Sequence, residues 1–401
     1  MGRRLRRGWP GLLAAAALVA VAGCGGSAGT SSTGGAAPRV LEIGALFSLT
    51  GGGDVYGPQQ ERGARLAIQQ IDAAGGIDGA RLRLDVRDDR SDPTTGAEGM
   101  RELITNTRVA AVLGPTLSLV ALRADPVADT LATPVLAVSN TVEGIVGDCS
   151  YPCSWIWRDS LGERIAVRAN IDDYVRTHHP STAVTIQTTD DVLGSDDVKQ
   201  AVTEFRADGV RVVRQVSVAA DGNVDAAVRS ALAQIPEVLF VGTSFGAFAA
   251  EAMQLARKDG FTGQILGGNT FNSEQTRRLA GAAGIGARSG AAWYSGNDFP
   301  ANEQFVTDYV QRYGEPPDQF AAQAYVGVQI LADAIARSHA AAAPTLVAQR
   351  AALQHGLGDV ASTSVLGPFR FTSTHDVDQI VWILAMDKGG HHLVGFCNPG
   401  C

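Results

Sequence analysis

The chain predicts an α/β protein built as two doubly wound parallel-sheet lobes. Three observations predict it. Short apolar runs alternate with segments whose apolar residues recur at helical spacing, and strands apolar throughout are those buried on both faces of a parallel sheet. The alternation runs twice, with a break near residues 149–158. Residues 39–401 follow a leader and a Gly/Ser-rich stretch, which leaves room for one large or two medium domains.

In order, residues 40–46 read as a buried strand. Residues 63–73 read as a helix, with Ala64, Ala67, Ile68 and Ile71 on one stripe. Strands follow at 82–86 and 109–113, a helix at 118–131 and a strand at 134–138. After the break the pattern resumes with helix 165–174, strand 183–186, helix 196–205 and strand 210–216. Helix 224–232, strand 238–241 and helix 248–257 complete the second run. The tail departs from the alternation, with helices at 305–313 and 320–336, then strands at 369–371, 379–386 and 392–396 joined by tight turns. Open sheets of this class take ligands at the carboxyl ends of their strands, so two facing sheets predict a cleft.

The N-terminus predicts export. Arg3, Arg4, Arg6 and Arg7 precede an apolar run over 12–22, and Val21-Ala22-Gly23-Cys24 closes it. A basic patch, a short apolar core and small residues at the cut site make a secretory signal over residues 1–23. The run is too short for a permanent span of a roughly 30 Å hydrocarbon layer. The Cys at the cut site resembles a bacterial lipobox, which would lipidate Cys24. Residues 24–38 then read as the lipidated Cys and a flexible tether, since Gly, Ser, Thr and Ala cannot bury a core.

Composition narrows the partners. Net charge is −8, and removing the four signal arginines leaves −12 on the remainder, which argues against a nucleic-acid surface. Lys199, Lys258 and Lys388 are the only lysines. Beyond Cys24, the cysteines fall into two close pairs, Cys149-Cys153 and Cys397-Cys401, read as local disulfides of an exported chain. Zinc is the competing use, but no His stands at ligand spacing near either pair. No phosphate loop is present, and neither a cofactor nor a metal is expected. Asp88, Asp89 and Asp92 read as a turn, and His178-His179 and His391-His392 as solvated surface pairs.

One segment carries an enzyme signal. Gly242-Thr243-Ser244-Phe245-Gly246 sits between a strand and a helix, as a nucleophile elbow does. A hydrolase would use Ser244 with Asp359 and His375, but would lack an upstream His-Gly-Gly oxyanion segment. The other reading makes this turn a strand-end loop lining the second lobe. Elsewhere, Gly114 to Ser118 joins a strand end to a helix start, where free N–H groups attract an anion and a Ser hydroxyl adds a donor. Ser118 as a simple helix cap is the alternative.

Several stretches in order resemble the periplasmic binding proteins for leucine, isoleucine and valine. They are Ile43-Gly44-Ala45-Leu46-Phe47-Ser48-Leu49-Thr50-Gly51 with Tyr56-Gly57, Gly63-Ala64, and Ile71-Asp72-Ala73-Ala74-Gly75-Gly76-Ile77. Asp88-Asp89 with Asp92-Pro93, Gly114-Pro115-Thr116-Leu117-Ser118 and the run from Thr133 to Thr141 extend the likeness. It covers most of 43–335 and fades in the tail. The resemblance implies two lobes joined by a three-strand hinge, with crossings near Arg158, Asn297 and Gly367. Lobe 1 would then be 39–158 plus 298–366, and lobe 2 159–297 plus 367–401.

By the same resemblance, Ser118 and Thr141 hold a ligand carboxylate, the Ser139 carbonyl accepts from its ammonium, and Tyr56 packs on it. Two positions depart from the pattern: Asn269 stands where an acid would face the ammonium, and Leu193 where an aromatic is frequent. Phe245 keeps an aromatic at its place, and Phe320 is expected on the floor. The expected protein is an extracytoplasmic, lipid-anchored, monomeric and non-enzymatic solute-binding partner of an ABC permease. It would close on a branched-chain amino acid or a related amide or carboxylate. A ligand sensor of the same fold is the alternative from another class.

Overall fold

The computed structural model describes residues 39–399, so the signal, Cys24 and the whole tether lie outside the described residues, as does Cys401 of the Cys397-Cys401 pair. The first lobe opens with β1 (Arg39–Phe47), α1 (Gly57–Ala73), β2 (Ala80–Asp88), α2 (Pro93–Glu102), β3 (Ala111–Leu113), α3 (Ser118–Thr130), β4 (Val135–Ala137) and β5 (Ile156–Arg158). Its five strands lie in the order β2-β1-β3-β4-β5, all parallel. Burial on both faces explains the continuous apolar runs. Ile43, Ala45 and Phe47 point into one core cluster, while Leu46 between them points into another with Val112 and Met100.

The second lobe follows with α4 (Glu163–His178), β6 (Thr182–Thr188), α5 (Val192–Ala207), β7 (Arg211–Val218), α6 (Val224–Leu232), β8 (Val238–Gly242), α7 (Gly246–Lys258), β9 (Gln264–Gly267), α8 (Glu274–Ala280) and β10 (Arg288–Ala291). The chain then adds α9 (Asn302–Tyr313), α10 (Gln319–Ser338) and α11 (Leu346–Leu357) to the first lobe. β11 (Ala361–Ser364), β12 (Gly367–Phe371) and β13 (Val377–Asp378) form a small antiparallel sheet. β14 (Val381–Asp387) and β15 (Gly390–Cys397) return to the second lobe. Its sheet runs β15-β14-β10-β9-β8-β6-β7, parallel except where β14 pairs antiparallel with both neighbours.

Helices start where the local chemistry allows. Asp92 accepts from Thr95 N at the head of α2, Asp191 from Leu193 N at α5, and Asp318 from Phe320 N and Ala321 N at α10. The sequence pattern overlooks α2, whose Thr- and Gly-rich stretch offers almost no apolar stripe, and α11, whose alanines and glutamines do the same.

The chain crosses between the lobes after Arg158 and again between β10 and α9. The third crossing was expected near Gly367. Phe369 and Val377 instead join the first-lobe core with Trp157, Val365 and Leu366, so the chain stays with that lobe until Gln379. The short antiparallel strands hid this, because they carry the same alternation whichever lobe they serve. Cys149 and Cys153 are joined (S–S 2.05 Å).

Candidate functional site

The carboxyl ends of the strands meet between the lobes, and the contacts there cross from one to the other. Tyr56, at the head of α1, donates its hydroxyl to the Ser244 carbonyl (2.7 Å), near the Thr270 hydroxyl (3.1 Å). Its ring packs on Phe320 at 4.5 Å between centroids. Burial pushes the phenol's pKa up, so it is a donor across physiological pH. Ser273 donates to the Val55 carbonyl (3.1 Å), and Leu193 of α5 enters a core cluster of the first lobe. Phe245 covers Gly52 so closely that a Cβ there would stand 2.5 Å from its ring.

The first-lobe face is made of hydroxyls and amides that largely satisfy one another. The Thr116 hydroxyl accepts from Ser48 N and donates to Gln60 Oε1 (2.6 Å). Gln60 Nε2 donates to the Ser139 hydroxyl (2.8 Å), which donates to the Thr116 carbonyl (2.6 Å). Asn140 Nδ2 caps the Pro115 carbonyl (2.9 Å). Gly114, at φ +101°, turns the chain from β3 toward α3, and a Cβ there would strike the Leu46 carbonyl at 2.3 Å.

Ser118 and Thr141, expected together, are together: Thr141 N donates to the Ser118 hydroxyl (3.3 Å). Ser118 is not the cap of α3; Leu117 holds that position without a side-chain bond. The Thr141 hydroxyl donates to Glu163 Oε2 (2.6 Å), and Asn269 N donates to Glu163 Oε1 (2.8 Å). A carboxylate of the protein itself therefore touches the hydroxyl expected to receive a ligand's carboxylate. Arg158 fixes the strand end from behind, donating to the Thr141 and Val142 carbonyls and pairing with Asp376 (2.5 Å).

The second-lobe face is acidic. Asn269 supplies no charge, but Glu163 at the head of α4 and Asp197 in α5 do, and both are fully buried. A Cβ on Gly268 would lie 2.4 Å from Asp197 Oδ1 and 2.5 Å from Glu163 Oε1, which puts the two carboxylates side by side beneath one glycine. Burial raises the pKa of both; the hydrogen bond between them opposes the rise at Glu163, while Glu163's charge and that bond push Asp197 higher still, so one proton sits between the pair. Asn269 Oδ1 accepts from Gln319 Nε2, tying lobe 2 to α10. Sequence reasoning missed Gln60, Glu163, Asp197 and Gln319. Each lies in a helix, where it reads as an ordinary polar position until the fold turns it inward.

The hydrolase reading fails on contacts. The Ser244 hydroxyl donates to Asp191 Oδ1 (2.9 Å). His375 stacks on Trp157 at 3.8 Å with Nδ1 facing the Ile156 carbonyl (3.0 Å). Asp191 is engaged by Ser244 N, Thr188 and Leu193 N, as the cap of α5. No His stands beside Ser244 in these contacts to act as its base.

A family model described as periplasmic binding protein matches residues 40–391. The chain is similar to a Leu/Ile/Val-binding protein of Rhizobium johnstonii, 24% identical over 314 residues that cover 75% of this chain and 80% of the relative. Among solved structures it is similar to a branched-chain amino acid transporter substrate-binding protein of Streptococcus pneumoniae in complex with isoleucine. That likeness has a TM-score of 0.79 at 23% identity and covers 90% of this chain and 100% of the other. A solute-binding protein of an ABC transporter from R. palustris, in complex with benzoate, is similar at TM-score 0.79 and 21% identity, with 90% and 97% covered. The two sheets of parallel strands, the cleft at their carboxyl ends and the match over nearly the whole described chain place this protein in the periplasmic binding protein family.

Proposed function

We propose that this protein is the extracytoplasmic binding component of an ABC importer, tethered to the membrane through a lipidated Cys24, and that it captures one small polar organic molecule between its lobes. The observation that carries this reading is the meeting of Tyr56, Ser118 and Thr141 on one face with Ser244, Asn269 and Thr270 on the other. Hinge closure buries the ligand, and the closed form is the one that docks on the permease. Tyr56 acts as a clasp, because its phenol reaches carbonyl and hydroxyl groups that belong to the opposite lobe. The family match and the relatives' own ligands support the size class of the guest.

Calorimetry on the full chain with an amino-acid, amide and aromatic-acid panel tests this reading. A single-site isotherm weakened by Thr141→Ala and by Ser118→Ala is expected. Binding untouched by both substitutions removes the proposed cleft. Partitioning of the exported protein into detergent, lost in Cys24→Ser, tests the anchor.

A further inference from the structure

Hydrogen-bond donors gather where α3 begins. Leu117 caps that helix without a side-chain bond, so no cap side chain uses the N–H groups of its first turn. The Ser118 hydroxyl accepts from Thr141 N, and in the bonds of the described residues it donates to nothing. The Thr141 hydroxyl stands beside it. A guest carboxylate suits such a set of donors. Thr141, however, has already committed its only hydroxyl proton, which it donates to Glu163 Oε2 (2.6 Å). It cannot serve Glu163 and a guest at once.

Glu163 is held from three sides. Its Oε2 receives Thr141, its Oε1 receives Asn269 N (2.8 Å), and Asp197 lies against it beneath Gly268. The proton of the acid pair resides on Asp197, whose pKa is raised the more, and is donated to Glu163, the ionised partner. Asp191 and Asp196 of α5 add negative charge, and the Tyr56 phenol faces the pair from the first lobe. The neighbouring strands β6, β8 and β9 carry no charged side chain. Nearby cations are engaged elsewhere or face solvent: Arg158 on Asp376 and two carbonyls, Arg164 on Glu143, Arg288 on Asp173, and Arg123 of α3 exposed.

A carboxylate arriving on Thr141 therefore does two costly things. It sets a second negative charge one hydroxyl away from Glu163 in a site closed to water, and it takes away the hydrogen bond that Glu163 was receiving. One proton removes both costs. Placed on Glu163 Oε2, it neutralises the acid and is donated to the Thr141 oxygen. The Thr141 proton then turns to the guest. Glu163 Oε1 keeps Asn269 N, and Asp197 keeps its own proton.

We infer that this protein captures a guest carboxylate together with one proton from solution: the guest takes the Thr141 hydroxyl from Glu163, and Glu163 takes up the proton and donates it to Thr141 in return. This rests on the cleft reading above and deepens it. Glu163 is thus a positioning residue that acts on the guest through Thr141, and Asp197 supports it. Because the loaded form holds one more proton than the empty form, affinity rises as pH falls, by about tenfold per pH unit while the empty pair holds a single proton.

Calorimetry of the full chain with L-leucine, L-isoleucine, L-valine and benzoate tests the inference, each in phosphate and in Tris at one pH. The two buffers differ in ionisation enthalpy, so the difference in observed heat counts protons. The tightest of the four is expected to bind with uptake of about one proton, and about tenfold more weakly for each unit from about pH 6 to 8. Glu163→Gln gives Thr141 a permanent N–H donor. It is expected to abolish the uptake and flatten the pH profile, with affinity at about pH 8 no weaker than the parent's. Asp318, pushed up to about 7 by burial, lies next to Gln319 and is the other acid that could take a proton. Asp318→Asn is expected to keep the uptake. Should Glu163→Gln fail to fold, the parent and Asp318→Asn carry the test. Binding of none of the four, no uptake by the parent, uptake that persists in folded Glu163→Gln, or uptake lost in Asp318→Asn overturns the inference. The cleft reading survives these outcomes if Thr141→Ala still weakens a bound probe, and falls if Thr141→Ala and Ser118→Ala both leave that binding unchanged.

Discussion

The two faces of the cleft are built on opposite plans. On the first lobe, Ser48, Gln60, Thr116 and Ser139 close a loop of mutual hydrogen bonds, so that face is neutral and preorganised. On the second, Glu163 and Asp197 stand buried against each other beneath Gly268 and hold one proton between them. A closed neutral network gives fixed geometry; a buried acid pair sharing a proton gives a charge that its surroundings can change. The difference teaches that the residues resembling the family's binding motifs gather on the neutral first-lobe face, while the buried charge lies on the second.

The largest expected effect comes from breaking the support of the neutral face. Arg158 is buried and holds the Thr141 and Val142 carbonyls while pairing with Asp376. Arg158→Ala should lower unfolding free energy by about 3 kcal/mol, the range for removing one partner of a buried pair. Urea denaturation reads it, and a midpoint unchanged from the parent would show that Thr141 is held by something else. Next in size, Thr141→Ala should weaken ligand by about 1.5–3 kcal/mol through loss of a bond to a charged group. Calorimetry measures this, and the same substitution should disturb Glu163 and so couple the two faces.

The cleft was only partly legible in the chain, for a physical reason. Strand-end loops carry local signatures, so Tyr56, Ser118, Ser139 and Thr141 could be picked out from short motifs around Gly57, Gly114 and Pro134. Glu163, Asp197 and Gln319 sit in first and second turns of helices, where acids and amides are common and their direction depends on how the helix docks. The parallel sheets were visible because both faces are buried; α2 was not, because its start rests on Asp92 and Pro93 rather than on apolar spacing. The third crossing was misplaced because β12 and β13 look alike whichever lobe they join.

A smaller effect sharpens the contrast through pH. Burial raises Asp318 to about 7 and Asp89 to about 6, the latter with Ser48 and Ser91 opposing the shift. Both exceed the ordinary carboxylate value, so the folded protein binds more protons than the unfolded chain between about pH 4 and 7. Their contribution is complete below the unfolded value and declines as pH rises through that window, by at most about 1.4 kcal/mol per pH unit for each proton. Melting temperature should therefore fall from pH 5 to pH 8, and Asp318→Asn should flatten the profile. A rise over that range would contradict the assignment.

The smallest effect lies at the rim. Glu315 pairs with Arg62 of α1 and with Arg278 of α8 (3.1 Å), an ionic contact that crosses the lobes. Exposed pairs are worth about 0–1 kcal/mol and weaken with salt. Glu315→Gln should speed ligand release a few-fold at low salt and leave it unchanged at high salt; stopped-flow release at two salt concentrations distinguishes this from an effect on the acids inside.

The most direct measurement is a crystal structure of the chain with whichever panel member binds most tightly. The account predicts one small guest enclosed between the lobes and within reach of the Ser118 and Thr141 hydroxyls. A ligand bound outside that cleft, or one out of reach of both hydroxyls, would contradict it.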